Sequence, residues 1–173
     1  FFDGAVAAFV SGNIGRLYWG KVKSIVRNVL YIKPRAALML DVITPGEKDA
    51  EVTLLYQAGL LKDIRQGNGV SGEKNISAVS KGDSLLHIAH LHPETVHVEA
   101  AETPHYLYTL RNQRPLEREG MLTVTAGTRG EPLVMANLLT ATGGEPPDLS
   151  IERHDGCVAS SVNGTLFAFS TFP

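Results

Sequence analysis

The sequence has little of several residue types that would fix a protein's class at once. It has one cysteine, Cys157, among 173 residues, which excludes an internal disulfide and a cysteine-based zinc cluster. Lysine and arginine number 16 against 18 acidic residues, for a net charge of −2, and this balance gives no basic footprint for nucleic acid or an anionic membrane. Uninterrupted apolar runs are far shorter than the about 20 residues of a membrane-spanning helix. We therefore expect no nucleic-acid partner and no membrane partner.

Length and composition favour one folded unit. Apolar residues make up 43% of the 173, which is enough for one domain with its own hydrophobic core. The first residue is Phe1 rather than methionine, and no charged stretch precedes an apolar one, so the start does not match a signal peptide. We expect residues 1–173 to form a single domain that is a fragment of a larger or processed protein.

Glycine and proline are spread between short apolar runs, which is typical of an all-β protein. The 17 glycines and 9 prolines separate strand-like runs that recur about every ten residues. Asn163-Gly164 predicts a hairpin with a type I′ turn, whereas Lys62–Lys81, rich in glycine, serine and lysine, predicts a loop. Together these features predict a two-layer antiparallel β-sandwich of about ten to twelve strands. The predicted strands are Ala5–Ser11, Lys21–Ile32, Ala36–Ile43, Glu51–Gln57, Leu85–Leu91, Thr95–Ala100, His105–Leu110, Met121–Ala126, Leu133–Thr140, Leu149–Arg153, Cys157–Val162 and Thr165–Thr171.

One predicted hairpin carries a carboxylate in an apolar setting. Strand Lys21–Ile32 alternates so that its lysines and Arg27 share a face that we expect to be solvated. Lys33-Pro34-Arg35 supplies the turn, and the apolar strand Ala36–Ile43 contains Asp41. An unpaired carboxylate there would cost several kcal/mol. Asp41 should therefore have a cation, a metal or several hydrogen-bond donors beside it.

Four of the six histidines lie within eleven residues, namely His87, His90, His92 and His97. His90 and His92 are two apart and are expected to share one strand face, with His87 on the other. Neutral imidazoles need a carboxylate or a further histidine to complete a zinc site. From the residues alone, the predicted ligands of a zinc ion or a similar metal are therefore Asp41, His90 and His92, whereas His87 faces the other way. Two alternatives stay open, in which Asp41 binds turn amides or a basic side chain and the histidines are partly exposed polar residues of the sheet.

Other functional patterns are weaker. His-x-His is also found in small cupin-like metal barrels, but Glu94 and Glu99 do not lie at that motif's spacing from His92. Gly69-Val70-Ser71-Gly72 is one residue short of a nucleophile elbow and predicts a turn.

A freestanding carbohydrate-binding module is a further alternative. Such modules use exposed aromatic rings, because a ring face stacks on the apolar face of a sugar. The residues available for such a platform are Tyr18, Trp19, Tyr106 and Tyr108. Aromatic residues beside strands are more often part of the core.

Several short segments together match a known family. Asp3-Gly4-Ala5-Val6-Ala7 and Gly15–Tyr18 precede Val26–Pro34, which is similar to a strand of the type R-x-v-l-y-v-k-P, and Ala37–Asp41 follows it as v-v-v-x-D does. Leu85–Glu94 is similar to a later strand of the same β-domain. Over nearly its whole length the chain resembles the heparinase II/III family of polysaccharide lyases.

The resemblance implies a role in β-elimination on acidic polysaccharides. Members of the family have an N-terminal helical toroid with a tyrosine and a histidine for proton transfer, followed by a β-sandwich region. This chain would then be the C-terminal β-domain, with no catalytic residues of its own. Its partners would be acidic polysaccharide and the N-terminal helical domain of the same protein, and its location would be secreted or periplasmic.

The resemblance also bears on zinc, which some members of the family bind through His, Asp and His. Asp41 matches the aspartate by position, although Val42 stands where an arginine normally follows. The first histidine ligand has no counterpart, because no histidine precedes His87. The later ligand would be one of His87, His90 and His92, and the match does not decide between them.

Overall fold

The computed structural model describes residues 1–18, 20–47, 49–65, 76–104, 118–143, 145 and 147–172. Within these ranges the chain forms fourteen strands and two short 3-10 helices, Gly15–Tyr18 and Leu61–Asp63. No helix in the described part is long and apolar enough to cross a membrane. The strands are β1 (Phe2–Asp3), β2 (Ala7–Asn13), β3 (Val22–Ile32), β4 (Ala36–Pro45), β5 (Glu51–Gln57), β6 (Ile64–Arg65), β7 (Ile76–Lys81), β8 (Ser84–His92), β9 (His97–Pro104), β10 (Arg118–Gly127), β11 (Leu133–Thr142), β12 (Leu149–His154), β13 (Cys157–Val162) and β14 (Thr165–Ser170).

The strands form three antiparallel sheets in the described part of the chain. The largest has eight strands in the order β1-β2-β3-β4-β11-β8-β7-β6, and two smaller sheets have the orders β5-β10-β9 and β12-β13-β14. The predicted all-β antiparallel sandwich is confirmed. The strand count exceeds the prediction because β1, β6 and β7 were not predicted; β1 and β6 are two-residue pieces, too short to leave an alternating pattern. The open sheets give no support to the cupin-like barrel.

The eight-stranded sheet buries apolar side chains on both faces. Because side chains alternate along a strand, Leu38 and Met39 of β4 belong to opposite clusters. We call the cluster against β12–β14 the first core and the cluster against β5, β9 and β10 the second core. Leu138 is 1% exposed in the first and Leu122 is 0% exposed in the second, and burying each such side chain stabilises the fold by about 1.5–3 kcal/mol.

Local turn chemistry fixes two hairpins. Asn163 and Gly164 have φ of 47° and 79°, as a type I′ turn requires, and β13 pairs with β14 across them. Lys33-Pro34-Arg35 turns β3 into β4, with the amide of Arg35 donating to the carbonyl of Ile32 over 3.2 Å. Both predicted turns are confirmed.

The predicted loop Lys62–Lys81 is wrong at both ends, and at its start β6 occupies Ile64–Arg65 and pairs with β7. Strand β7 occupies Ile76–Lys81 and pairs with β8, because its small residues fit a covered position: Ser77 is 0% exposed and Ala78 is 9% exposed. Residues 66–75 lie outside the described part. So do the predicted strand His105–Leu110 and the predicted turn at Gly69-Val70-Ser71-Gly72.

Candidate functional site

Asp41 is neutralised by an arginine on the neighbouring strand. Arg27 of β3 and Asp41 of β4 are directly opposite in the sheet register, and the guanidinium donates from Nε and Nη2 to the two carboxylate oxygens over 2.7 and 2.8 Å. The side chain of Asp41 is 1% exposed and that of Arg27 is 37% exposed. The hydrogen bond to Asp41 raises the pKa of Arg27 above its usual value. Asp41 was predicted to have a cation, a metal or several hydrogen-bond donors beside it, and the structure shows a cation, Arg27.

This pair lies in the wall of the second core. Met39 and Ile43 flank Asp41 on the same face of β4 and both belong to the second core. Tyr56 of β5 packs against the same core, and its hydroxyl is buried without a partner among the described residues. Burial and the nearby charge of Asp41 raise the pKa of Tyr56, while Arg27 lowers it. The Tyr56 phenol is therefore neutral at physiological pH.

A cavity of about 390 Å³ opens beside the pair. Arg27 and Asp41 line it together with apolar residues of β3, β4 and β5, such as Val22, Ile43 and Leu54. Tyr18, at the end of the first 3-10 helix, also lines the cavity and is 45% exposed. Of the predicted aromatic platform, only Tyr18 is described, and the other three residues, Trp19, Tyr106 and Tyr108, lie outside the described part.

His90 belongs to a separate buried chain of hydrogen bonds. Its Nδ1 lies 2.7 Å from Oδ1 of Asn137, and its Nε2 lies 3.3 Å from Oγ of Ser77. All three residues are 2% exposed or less. Burial lowers the pKa of His90, with the bond to Asn137 opposing that shift. The imidazole is therefore neutral, and it donates to the amide oxygen from Nδ1 and accepts from the hydroxyl at Nε2.

A serine bonded to a histidine that is bonded to a third polar residue is also the order of a hydrolytic triad, but here an amide stands where a serine triad has a carboxylate, and the setting differs. Ser77 is 0% exposed and Ile88, opposite it in the register, is also 0% exposed. A nucleophile must reach its substrate. We therefore assign these hydrogen bonds a structural role, in which they link β7, β8 and β11 of the eight-stranded sheet. Nδ2 of Asn137 is buried without a partner among the described residues.

His87 and His92 lie apart from His90. The Nε2 of His87 is 3.1 Å from Oγ1 of Thr142. A shift of register between Ala136 and Asn137 sets Ala136 opposite His92 and Asn137 opposite His90. His90 and His92 were predicted to share a face because side chains alternate along a strand. The register shift interrupts that alternation, so the two side chains do not share a face. Burial lowers the pKa of both His87 and His92, and Arg153 lowers that of His92 further.

The placement of the four predicted zinc ligands does not fit a shared metal site. Arg27 takes both oxygens of Asp41, while His90 and His87 are engaged with Asn137 and Thr142. Within the described ranges no three His, Cys, Asp or Glu side chains are grouped closely enough to hold a metal ion. A guanidinium beside the carboxylate also opposes a second cation there. Zinc binding stays a prediction without support from this donor set.

Sequence reasoning missed Arg27 as the partner of Asp41, although a signal was present. Both residues are seven positions from Pro34 in the predicted turn, so a hairpin centred there sets them opposite each other. Asn137 and Ser77 were also missed. Their strands meet β8 only through pairing of distant segments, which local patterns do not reveal.

Comparison with known proteins identifies the fold. No protein-family model and no curated protein matches the chain. Among solved structures, heparan sulfate lyase HepC from Pedobacter heparinus has a TM-score of 0.74 at 14% identity, covering 98% of this chain and 26% of that one. A heparinase III structure has a TM-score of 0.68 at 11% identity with the same coverage. A further heparinase III has a TM-score of 0.60 at 10% identity, covering 97% of this chain and 26% of that one.

This chain thus spans about a quarter of the length of the solved structures it matches. The likeness extends over nearly all of its own residues. The chain therefore has the fold of one β-domain found in heparan sulfate lyases of known structure.

Proposed function

We propose that this chain is a non-catalytic β-sandwich domain of a larger polysaccharide lyase that acts on acidic polysaccharide by β-elimination. The observation that carries this proposal is the extent of the structural match, which covers 98% of this chain but only 26% of the matching lyase. A chain that matches a lyase over nearly its whole length but covers about a quarter of that lyase is expected to be one domain of such a protein. We propose that it supports a substrate cleft that another domain completes. The N-terminal helical domain of the same protein is the proposed partner, and a secreted or periplasmic location follows from the same proposal.

The chemistry of β-elimination supports the non-catalytic role. The reaction needs a base for the proton next to the uronate carboxylate, an acid for the leaving oxygen and a group that neutralises the carboxylate. Of the groups beside the cavity, the hydroxyl of Tyr56 is buried and Arg27 is already bonded to Asp41. Exposed residues such as Tyr18, Lys21 and Glu47 also line it. The proposal that the acid and the base lie on the partner domain therefore rests on the likeness to the lyases, and the assay below tests it.

The Arg27–Asp41 pair has a supporting role in this proposal. It joins β3 to β4 at the point where the cavity opens, and a bidentate pair holds the guanidinium in one orientation. The cavity wall is thereby kept in a fixed shape without a metal ion.

The experiment is an assay of the purified 173-residue chain with heparan sulfate and with alginate. β-Elimination leaves an unsaturated sugar that absorbs ultraviolet light, so product formation is read directly. We expect no product above the buffer control from this chain. Sustained release of unsaturated oligosaccharide would overturn the non-catalytic role.

A further inference from the structure

We propose that an apolar patch at the outer edge of the eight-stranded sheet docks against an apolar helix face in the helical domain of the same protein. The edge patch consists of Phe2 of β1 and Phe9 of β2, on the face of the sheet that carries the first core. The choice of partner rests on the proposed function, whereas the patch is a feature of this chain alone.

A row of apolar side chains leads from the first core to the edge patch. Its members are direct partners across five neighbouring strands, in the order Leu138, Leu38, Leu30, Phe9 and Phe2, and directly opposed residues share a face of a sheet. The exposed fraction rises from 1% at Leu138 and 6% at Leu38 to 37% at Phe9 and 58% at Phe2. Leu30 is the last residue of the row that packs against the first core. The cover that β12–β14 give to this face therefore ends before the apolar row does.

The hairpin that carries the edge patch is fixed to the rest of the sheet. Nζ of Lys33 lies 2.6 Å from Oδ1 of Asp3 and donates to the carbonyl of Gly4 over 2.8 Å, and the amide of Lys33 donates to the carbonyl of Val6 over 2.9 Å. A Cβ on Gly4 would lie 2.7 Å from Cζ of Phe2, so the ring packs on this turn. Aromatic rings that are already held in place lose little conformational entropy when a partner covers them.

Exposed apolar surface is concentrated around this edge. Eight of the twelve large apolar side chains that are exposed in the described part of the chain lie within residues 1–31. A concentration of this kind marks an interaction surface on a soluble protein, and aromatic residues are enriched at the centres of interfaces.

The partner that fits the edge patch is another part of the same protein. This chain covers 26% of the matching lyase, so about three quarters of such a protein lies in other domains. In the proposed lyase the helical domain is joined to this chain ahead of Phe1, which brings its surface within reach of β1 and β2. Helices of soluble domains carry apolar stripes, and such a stripe complements two phenyl rings.

The first test is hydroxyl-radical footprinting, which oxidises accessible side chains, of the intact protein and of the 173-residue chain. We expect Phe2 and Phe9 to be oxidised about fivefold more slowly in the intact protein, because the centre of an interface excludes water. Leu166 of β14 is 71% exposed and serves as the reference that is oxidised equally in both. Equal oxidation of the two phenylalanines would overturn the inference. Protection that appears only when the 173-residue chain is concentrated would also overturn it, since a second copy would then cover the patch.

A pair of variants of the intact protein tests which face is covered. Phe2→Ser together with Phe9→Ser removes the patch, and Val10→Ser is the matched control, because Val10 is 46% exposed on the same strand but points to the opposite face. A dilute protease should cut between the domains about 10-fold faster in the double variant, because cleavage follows the population with separated domains and loss of an aromatic anchor weakens an interface about tenfold. The control should stay within about twofold of the parent protein.

Equal cleavage rates in the double variant and the control would overturn the inference. Circular dichroism of the 173-residue chain with the same substitutions checks that the fold is kept, and the footprinting of the unmodified protein needs no variant. An intact protein without a helical domain would instead overturn the proposed function.

Discussion

Removing either member of the Arg27–Asp41 pair should have unequal effects on stability. Arg27→Met leaves a carboxylate that is 1% exposed without its cation, and breaking a buried pair in this way costs about 3–5 kcal/mol. Asp41→Leu leaves a guanidinium that is already 37% exposed and can turn toward water, so we expect a loss of about 1–3 kcal/mol. The double variant should be close to the unmodified protein, because a buried ion pair replaced by apolar residues of similar volume is often neutral.

Urea denaturation of the four proteins measures these free energies of unfolding as a double-mutant cycle. The expected order of stability is the unmodified and double variants first, Asp41→Leu next and Arg27→Met last. Lys33→Met is a control for loss of a basic residue, since Lys33 pairs with Asp3 at a site where the two side chains are 35% and 54% exposed, and such pairs contribute about 0–1 kcal/mol. Equal losses for Arg27→Met and Lys33→Met would refute the reasoning.

Three further predictions follow from other parts of the structure. Burial lowers the pKa of His87, His90 and His92, so near the ordinary histidine pKa of about 6.5 the unfolded chain binds more protons than the folded one, and stability should fall as the pH falls through that value. His90→Gln should reduce this dependence of the free energy of unfolding on pH, as measured by urea denaturation, and an unchanged dependence would contradict the prediction. Gly120→Ala should cost about 1–3 kcal/mol, because its Cβ would lie 2.6 Å from the backbone nitrogen of Leu61, whereas Gly127→Ala on the same strand has nothing within 4 Å and should melt as the parent does. Since Arg27 holds both oxygens of Asp41, a chelator should leave the melting temperature unchanged, and a drop would favour the predicted zinc site.

Local sequence patterns were sufficient where a feature depends on neighbouring residues. The predicted strands Glu51–Gln57 and Cys157–Val162 agree with β5 and β13 residue for residue. Asn163-Gly164 forms the predicted turn because both residues tolerate positive φ. Short strand-like runs bounded by turn residues thus defined these elements without knowledge of their partners.

The arrangement of the site depends on pairing between distant segments, which is why less of it could be predicted. Arg27 lies on the face assigned to solvent, but β5 and β10 belong to a sheet that covers that face. His90 and His92 fail to share a face because of the irregularity opposite Ala136. The local pattern shows that Asp41 needs a cation, a metal or several donors, and only the hairpin register shows that Arg27 meets this need.

The most direct test of the central claim is to sequence the coding region upstream of Phe1. We expect several hundred residues of helical repeat, with a tyrosine and a histidine available for proton transfer, in the same reading frame. An unrelated catalytic domain upstream, or an initiation codon directly before Phe1, would contradict the claim that this chain is the β-domain of a larger lyase.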